Sequence, residues 1–274
     1  LMGLGLGLGA SQSSYISFSP DDISNILLWF QSNSNSTSNL LTAKFNNDGV
    51  EYDPVRTDGN LTDGDRIQRW GGQGSTAFDF FINESTDMPR FEADAGEGLS
   101  FPAGKYMDLV EAGSTTDDTI DLTGAFTVFI RCKPTNFDTS RALLGQSASA
   151  QEFIRLGASG ALGINKSVRL KIDNNNVDFS ESTNTIATDE YISILIERDS
   201  SNVCKMYVYS DTYKATTSGT QWGSATTQSG TATFDNLSST EDDTQNFVGF
   251  ISHVIVYSKQ ITAAERTELF SYVK

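Results

Sequence analysis

The run Glu92-Ala93-Asp94-Ala95-Gly96-Glu97 spaces three acids within six residues. Two carboxylates flanking one glycosidic bond, about 5–5.5 Å apart, hydrolyse it with retention. That chemistry needs apolar strand formers between the acids, so that both face one cleft. Here the separators are alanine and glycine and Gly98 follows. The run therefore reads as a solvated acidic turn. Three further acidic stretches, Asp58–Asp65, Asp117–Asp121 and Glu241–Asp243, have oxygens for a calcium ion, which takes six to eight of them. In the first, Asp58, Asn60 and Thr62 fit a helix-loop-helix calcium loop, but the sixth-place glycine and the closing glutamate are missing. Solvated loops are the expectation for all three, and a metal is left unassigned. His253 is the single histidine, so a Ser/His/Asp triad would have to use it. It lies in a strand beside Val254 and reads as a surface or cross-strand residue. Cys132 and Cys204 fall on expected strands and read as two free thiols, since a disulfide requires neighbouring strands. Tyr207, Tyr209, Tyr213 and Trp222 could stack on sugar rings, although aromatic residues on strands usually belong to the core. No catalytic residue and no cofactor is assigned, and the chain is not expected to be an enzyme.

Composition limits what can surround these residues. The chain has 274 residues, 19 Lys plus Arg and 35 Asp plus Glu, for a formal charge of −16. That charge offers no footprint for nucleic acid or an anionic membrane. One histidine and two cysteines exclude a His-rich zinc site and a disulfide-dense scaffold. No stretch approaches the roughly 18–20 apolar residues of a membrane span. With 23 glycines and 5 prolines, the composition favours many turns and short strands.

The opening Leu1–Ala10, LMGLGLGLGA, lacks the basic leading region of a signal peptide. Extended, it would place its leucines on one side and bare backbone on the other. Residues 1–20 are expected to form an extended anchoring tail, and 21–274 a single sandwich domain. Ser19-Pro20-Asp21-Asp22 suggests a short helical turn, and Leu27–Phe30 a buried strand. Period-2 alternation then recurs. Phe126, Val128, Ile130 and Cys132 share a face, as do Val168, Leu170 and Ile172, with Arg169 and Lys171 opposite. Ile192, Ile194 and Ile196 share another, and Asp199–Asn202 turns that strand into residues 203–209 as a hairpin. Residues 247–257 read as a long central strand. Thr262-Ala263-Ala264-Glu265 has the form of a capping box, followed by the apolar stripe Leu269, Phe270 and Val273. Many strands and one terminal helix imply an all-β antiparallel sandwich.

The strand Gly249–Tyr257 and the helix start Ile261-Thr262-Ala263-Ala264-Glu265 resemble the closing signature of laminin G-like, or concanavalin A-like, jelly-roll domains. Phe126–Pro134 resembles that family's strand ending in Lys-Pro, and Tyr191–Asp211 its hairpin. Upstream, Leu28-Trp29, Gly64–Trp70, Pro89-Arg90-Phe91 and Leu99–Leu109, with the Gly-Leu tail, look like the leading half of such domains in tailed-phage virion proteins of the cyanophage type. The resemblance implies a concanavalin A-like sandwich displayed on a phage particle, as capsid decoration or fibre. Its partners would be other virion proteins, bound through the tail, and host-surface polysaccharide. A homo-oligomer located in the virion is the accompanying expectation. The alternative is a secreted carbohydrate-binding module or a glucanase-like glycosidase. Glucanases of this fold resemble one another in a Glu-x-Asp-x-x-Glu strand, a spacing that residues 92–97 reproduce in a turn context.

Overall fold

A computed structural model describes residues 18–32, 40–42, 64–73, 76–82, 88–92, 98–136, 139–157, 164–182, 185–210, 219–240 and 245–273. Alternating apolar residues between turn formers give, in chain order, β1 (Ile26–Gln31), β2 (Leu40–Thr42), β3 (Ile67–Gly71), β4 (Phe78–Phe81), β5 (Arg90–Phe91), β6 (Leu99–Phe101), β7 (Met107–Glu111), β8 (Ile120–Thr123), β9 (Phe126–Pro134) and β10 (Arg141–Gln146). These are followed by β11 (Ser149–Leu156), β12 (Ser167–Ile172), β13 (Asn175–Ser180), β14 (Ile192–Arg198), β15 (Val203–Ser210), β16 (Thr220–Thr227), β17 (Thr231–Phe234), β18 (Asn236–Leu237), β19 (Gly249–Tyr257) and the helix α1 (Ala263–Tyr272). A 3-10 turn at Pro20–Asp22 precedes β1.

The chain is an all-β, concanavalin A-like jelly-roll sandwich. One sheet has eight strands in the order β16-β15-β14-β9-β19-β6-β5, with β1 also paired to β19. The other has nine, β13-β12-β11-β10-β18-β7-β4-β3-β2, and β8 with β17 forms a separate ribbon. The inner faces meet in one apolar core that includes Phe126, Val128, Ile130 and Cys132, the three isoleucines of β14, and Val168, Leu170 and Ile172. Period 2 places each set on one side of its strand. The hairpin β14–β15 turns through Asn202 at φ 62°.

β19 positions the most neighbours. β9 lines its full length on one side, and β6 and β1 divide the other. A bulge between Ile251 and His253 shifts its alternation. Ile251, Val254 and Val256 face the inner core, whereas Ile255 and Tyr257 face a second cluster on the outer side. That second cluster is the underside of α1. Leu269, Phe270 and Val273 cover Phe129, Leu195 and Ile255, so one sheet is buried on both faces. The expected capping box is present, with Glu265 N donating to Thr262 Oγ1 at 3.2 Å and Thr262 N to Glu265 Oε2 at 2.6 Å.

Of the two readings of His253, the cross-strand one is the structure's. It is no surface residue: it is 4% exposed, paired with Gln31 and Arg131, and meets the Tyr272 ring edge-on at 6.3 Å. Burial, then the Arg131 charge, push its pKa down to about 3, so it is held neutral. Cys132 and Cys204 are buried free thiols. They pair with opposite ends of β14, which runs between their strands. Burial raises both thiols, Cys204 to about 11, which leaves them unreactive.

Candidate functional site

The outer face of the nine-stranded sheet carries a grouping of cationic and aromatic side chains. Register sets Phe153 opposite Lys171 and Lys171 opposite Asn176; one row along, Arg155 faces Arg169 and Arg169 faces Asp178. Directly opposed residues share a face. These six point away from Ile154, Leu156, Val168, Leu170, Val177 and Phe179, which fill the inner core. Phe153 is 4% exposed and forms a floor. The Arg155 guanidinium lies 4.7 Å from its centroid and the Lys171 ammonium 5.5 Å, both within cation–π range. Arg169 Nε and Nη2 donate to the two Asp178 oxygens at 2.5 and 2.7 Å, a fork that fixes the guanidinium plane. Arg155 Nη1 donates to Gln245 Oε1 at 2.7 Å.

Gln245 belongs to a rim built by the segment between β18 and β19. Ala142 N donates to Gln245 O at 2.7 Å, and Arg141 Nη1 to Asn246 O at 3.2 Å. The Ser239 carbonyl occupies the space a Cβ at position 145 would need, so only Gly145 lets this segment lie so close to β10. Electrostatics here are locally inverted. Among the described residues, Arg169 is paired with Asp178, and Arg155 and Lys171 stand beside it on the same face, in a chain of charge −16. Like charges directly across a strand pair are destabilising. Burial and the Arg169 charge lower the Arg155 pKa, while the hydrogen bonds to Asp178 raise that of Arg169. The arrangement suits recognition of ring faces, hydroxyls and carboxylates by planar donors. Among the described residues, no group of three His, Cys, Asp or Glu is placed to hold a metal.

The residues singled out from sequence lie elsewhere. Phe91 ends β5 and Gly98 precedes β6, and these strands pair antiparallel, so the carboxylate run sits in the connection between them. Glu92 is half-buried there, and 93–97 lie outside the described residues. Residues 58–63 and 241–243 are outside them too. Asp117 bridges to Val110, Asp118 caps Thr119 N at 2.8 Å, and Asp121 accepts from Thr233 Oγ1 at 2.6 Å. Each is committed to local backbone or ribbon structure. Trp222 and Tyr209 are core residues. Tyr207 lies under the Arg266 guanidinium at 3.8 Å, and Tyr213 is outside the described residues. Sequence reading placed Arg169 and Lys171 on the polar face of their strand but passed over Phe153 and Arg155. The signal was available, since Phe153 and Arg155 alternate with Ile154 and Leu156 in the same period.

No family model and no curated protein matches the chain. Solved structures do match. Domain 4 of AbnA, an extracellular GH43 arabinanase from Geobacillus stearothermophilus in complex with arabinotriose, aligns over 89% of this chain and 98% of its own, at 14% identity and TM-score 0.47. Trypanosoma rangeli sialidase aligns over 90% of this chain at 9% identity and TM-score 0.50. The chain spans 33% of that sialidase. At such identities the likeness is one of fold, a β-sandwich in each case.

Proposed function

We propose that this chain is a glycan-binding β-sandwich and that it takes acidic sugars on the outer face of the nine-stranded sheet. One observation carries the reading: Arg155 and Arg169 stand directly opposed beside the Phe153 floor, with Asp178 as the nearby counter-charge. The opposed pair is unfavourable by itself, and an incoming carboxylate or sulfate offsets it. A fold that also serves sugar-binding and sugar-cleaving proteins is compatible with this but does not carry it. The test is affinity electrophoresis through gels containing polygalacturonate, its methyl ester or dextran. Retardation by polygalacturonate alone, weakened in Arg155→Gln, is the expected result. Equal mobility in all gels overturns the reading. No new reducing ends should appear on incubation with the polymer, because the carboxylate run reads from its sequence as a solvated turn.

Display on a phage particle is the second reading, favoured by the alternating Leu-Gly opening and the motif resemblance. Phe18 meets Tyr272 of α1 edge-on at 5.9 Å, and Tyr257 Oη donates to Pro20 O at 3.0 Å. The chain thus enters the sandwich on the α1 side, across the molecule from the site. An anchor there would leave the site facing outward. Deleting residues 2–17 should abolish incorporation into particles while leaving the sandwich folded; particles that still carry the shortened chain remove this reading.

A further inference from the structure

We infer that the sandwich carries a second anionic-glycan surface, on the outer face of the eight-stranded sheet, and that it is therefore bivalent. The inference takes the ligand class from the function proposed above. Register builds this surface as one cross-strand row. Arg66 faces Arg90, Arg90 faces Ser100, Ser100 faces Phe250 and Phe250 faces Lys133. The Tyr191 ring continues it, 5.5 Å from the Lys133 ammonium, which also lies 4.4 Å from the Phe250 centroid. Arg131, one row along, lies 4.7 Å from the Tyr191 centroid. All seven side chains are half-exposed.

The row runs over four strands, with Arg66 and Tyr191 as one further segment at either end, roughly 24 Å at the usual strand spacing, which fits several sugar rings laid end to end. It lies toward the β5–β6 end, clear of the apolar patch that α1 covers. Its chemistry is close to that of the first face, with aromatic rings beside cations and two arginines in direct opposition, but here the rings are half-exposed whereas Phe153 is buried. The opposition is of the closer kind. Ile67 N donates to Pro89 O at 2.9 Å and Phe91 N to Asp65 O at 2.8 Å, a pattern that leaves Arg66 and Arg90 as a pair without a hydrogen bond between them. Side chains approach most closely in such pairs. Among the described residues, the carboxylates nearest along the chain are Asp65, which is buried, Glu92 and Glu190, both half-buried, and Asp189, which is exposed. With one such surface on each outer face, a single chain can hold two polysaccharide strands at once.

The deciding measurement is calorimetric stoichiometry with a galacturonate hexamer, on wild type, Arg155→Gln, and the double variant Arg90→Gln/Lys133→Gln. Circular dichroism melts confirm that each variant folds. Two hexamers per wild-type chain are expected, and one per chain in each variant. Long polygalacturonate should then give turbidity with wild type and only soluble complexes with either variant. One hexamer per wild-type chain, lost in Arg155→Gln and unchanged in the double variant, removes the second surface and leaves the first standing. Absence of hexamer binding in all three proteins overturns both.

Discussion

At the residue scale, two arginines of this sandwich do different work. Arg198 is fully buried and donates to the backbone oxygens of Gly124 at 2.5 Å, Leu122 at 2.8 Å and Gly230 at 2.8 Å. It ties the β8–β17 ribbon to the end of β14, and its removal leaves several carbonyls buried without donors. Arg198→Met should therefore cost at least about 3 kcal/mol in urea denaturation. Arg155 is half-buried and opposed by a like charge. Arg155→Gln trades a cation–π contact for relief of that repulsion and should shift stability by less than about 1 kcal/mol, while weakening retention by polygalacturonate. A variant that unfolded as readily as Arg198→Met would make Arg155 a structural residue. His253 gives a third residue-scale prediction. Its pKa is depressed to about 3 in the folded chain, against about 6.5 when unfolded. The unfolded chain thus takes up a proton that the folded chain refuses. The stability contribution is complete above pH 6.5 and falls as pH drops, by about 1.4 kcal/mol per unit until the folded pKa is reached. Between pH 7 and 5 the loss is about 2 kcal/mol, and His253→Gln should flatten that part of the profile.

At the element scale, β19 explains why one short pattern carries so much of the fold. Gly249 sits at φ 145°, and a Cβ there would collide with the Lys133 carbonyl of β9. Gly249→Ala should therefore force β9 and β19 apart at that end, costing about 2–4 kcal/mol and lowering the melting temperature. Thr262→Ala, which removes one half of the capping box, should cost about 1 kcal/mol, with α1 fraying first in hydrogen exchange. Both signals were legible in the sequence, because glycine and capping chemistry act locally. The inner faces of β9, β12 and β14 were legible for the same reason, since alternation alone decides them. The bulge in β19 was not, and neither was the burial of His253, whose outer face Tyr272 of α1 meets. A bulge is fixed by pairing with β9, and no local residue type announces it. The candidate site was legible only by halves. Arg169 and Lys171 stand out on their strand, but their opposition to Arg155 and Phe153 depends on register between β11 and β12. The acidic stretches were visible and uninformative, because a chain this acidic places carboxylates in most of its turns.

At the scale of the whole molecule, the charge of −16 makes a kinetic prediction that separates the proposed binding from simple ion exchange. An acidic polysaccharide approaching this chain is repelled at long range and attracted only over the cationic rows. Repulsion beyond about 10 Å is screened at 0.1 M salt, whereas close pairs beside a buried ring are screened less. Raising salt from 50 to 500 mM should therefore speed association, since the opposing field collapses first. Dissociation should speed up more, because two or three charge contacts weaken, and the net affinity should fall roughly ten- to hundredfold. Surface plasmon resonance on immobilised polygalacturonate resolves the two rates. An association rate that falls with salt would mean that the cationic rows, not the net charge, dominate the field the polymer meets, and would overturn the long-range repulsion argued here. Affinity indifferent to salt would remove the arginine pairs from the recognition and leave the aromatic floors as its sole basis.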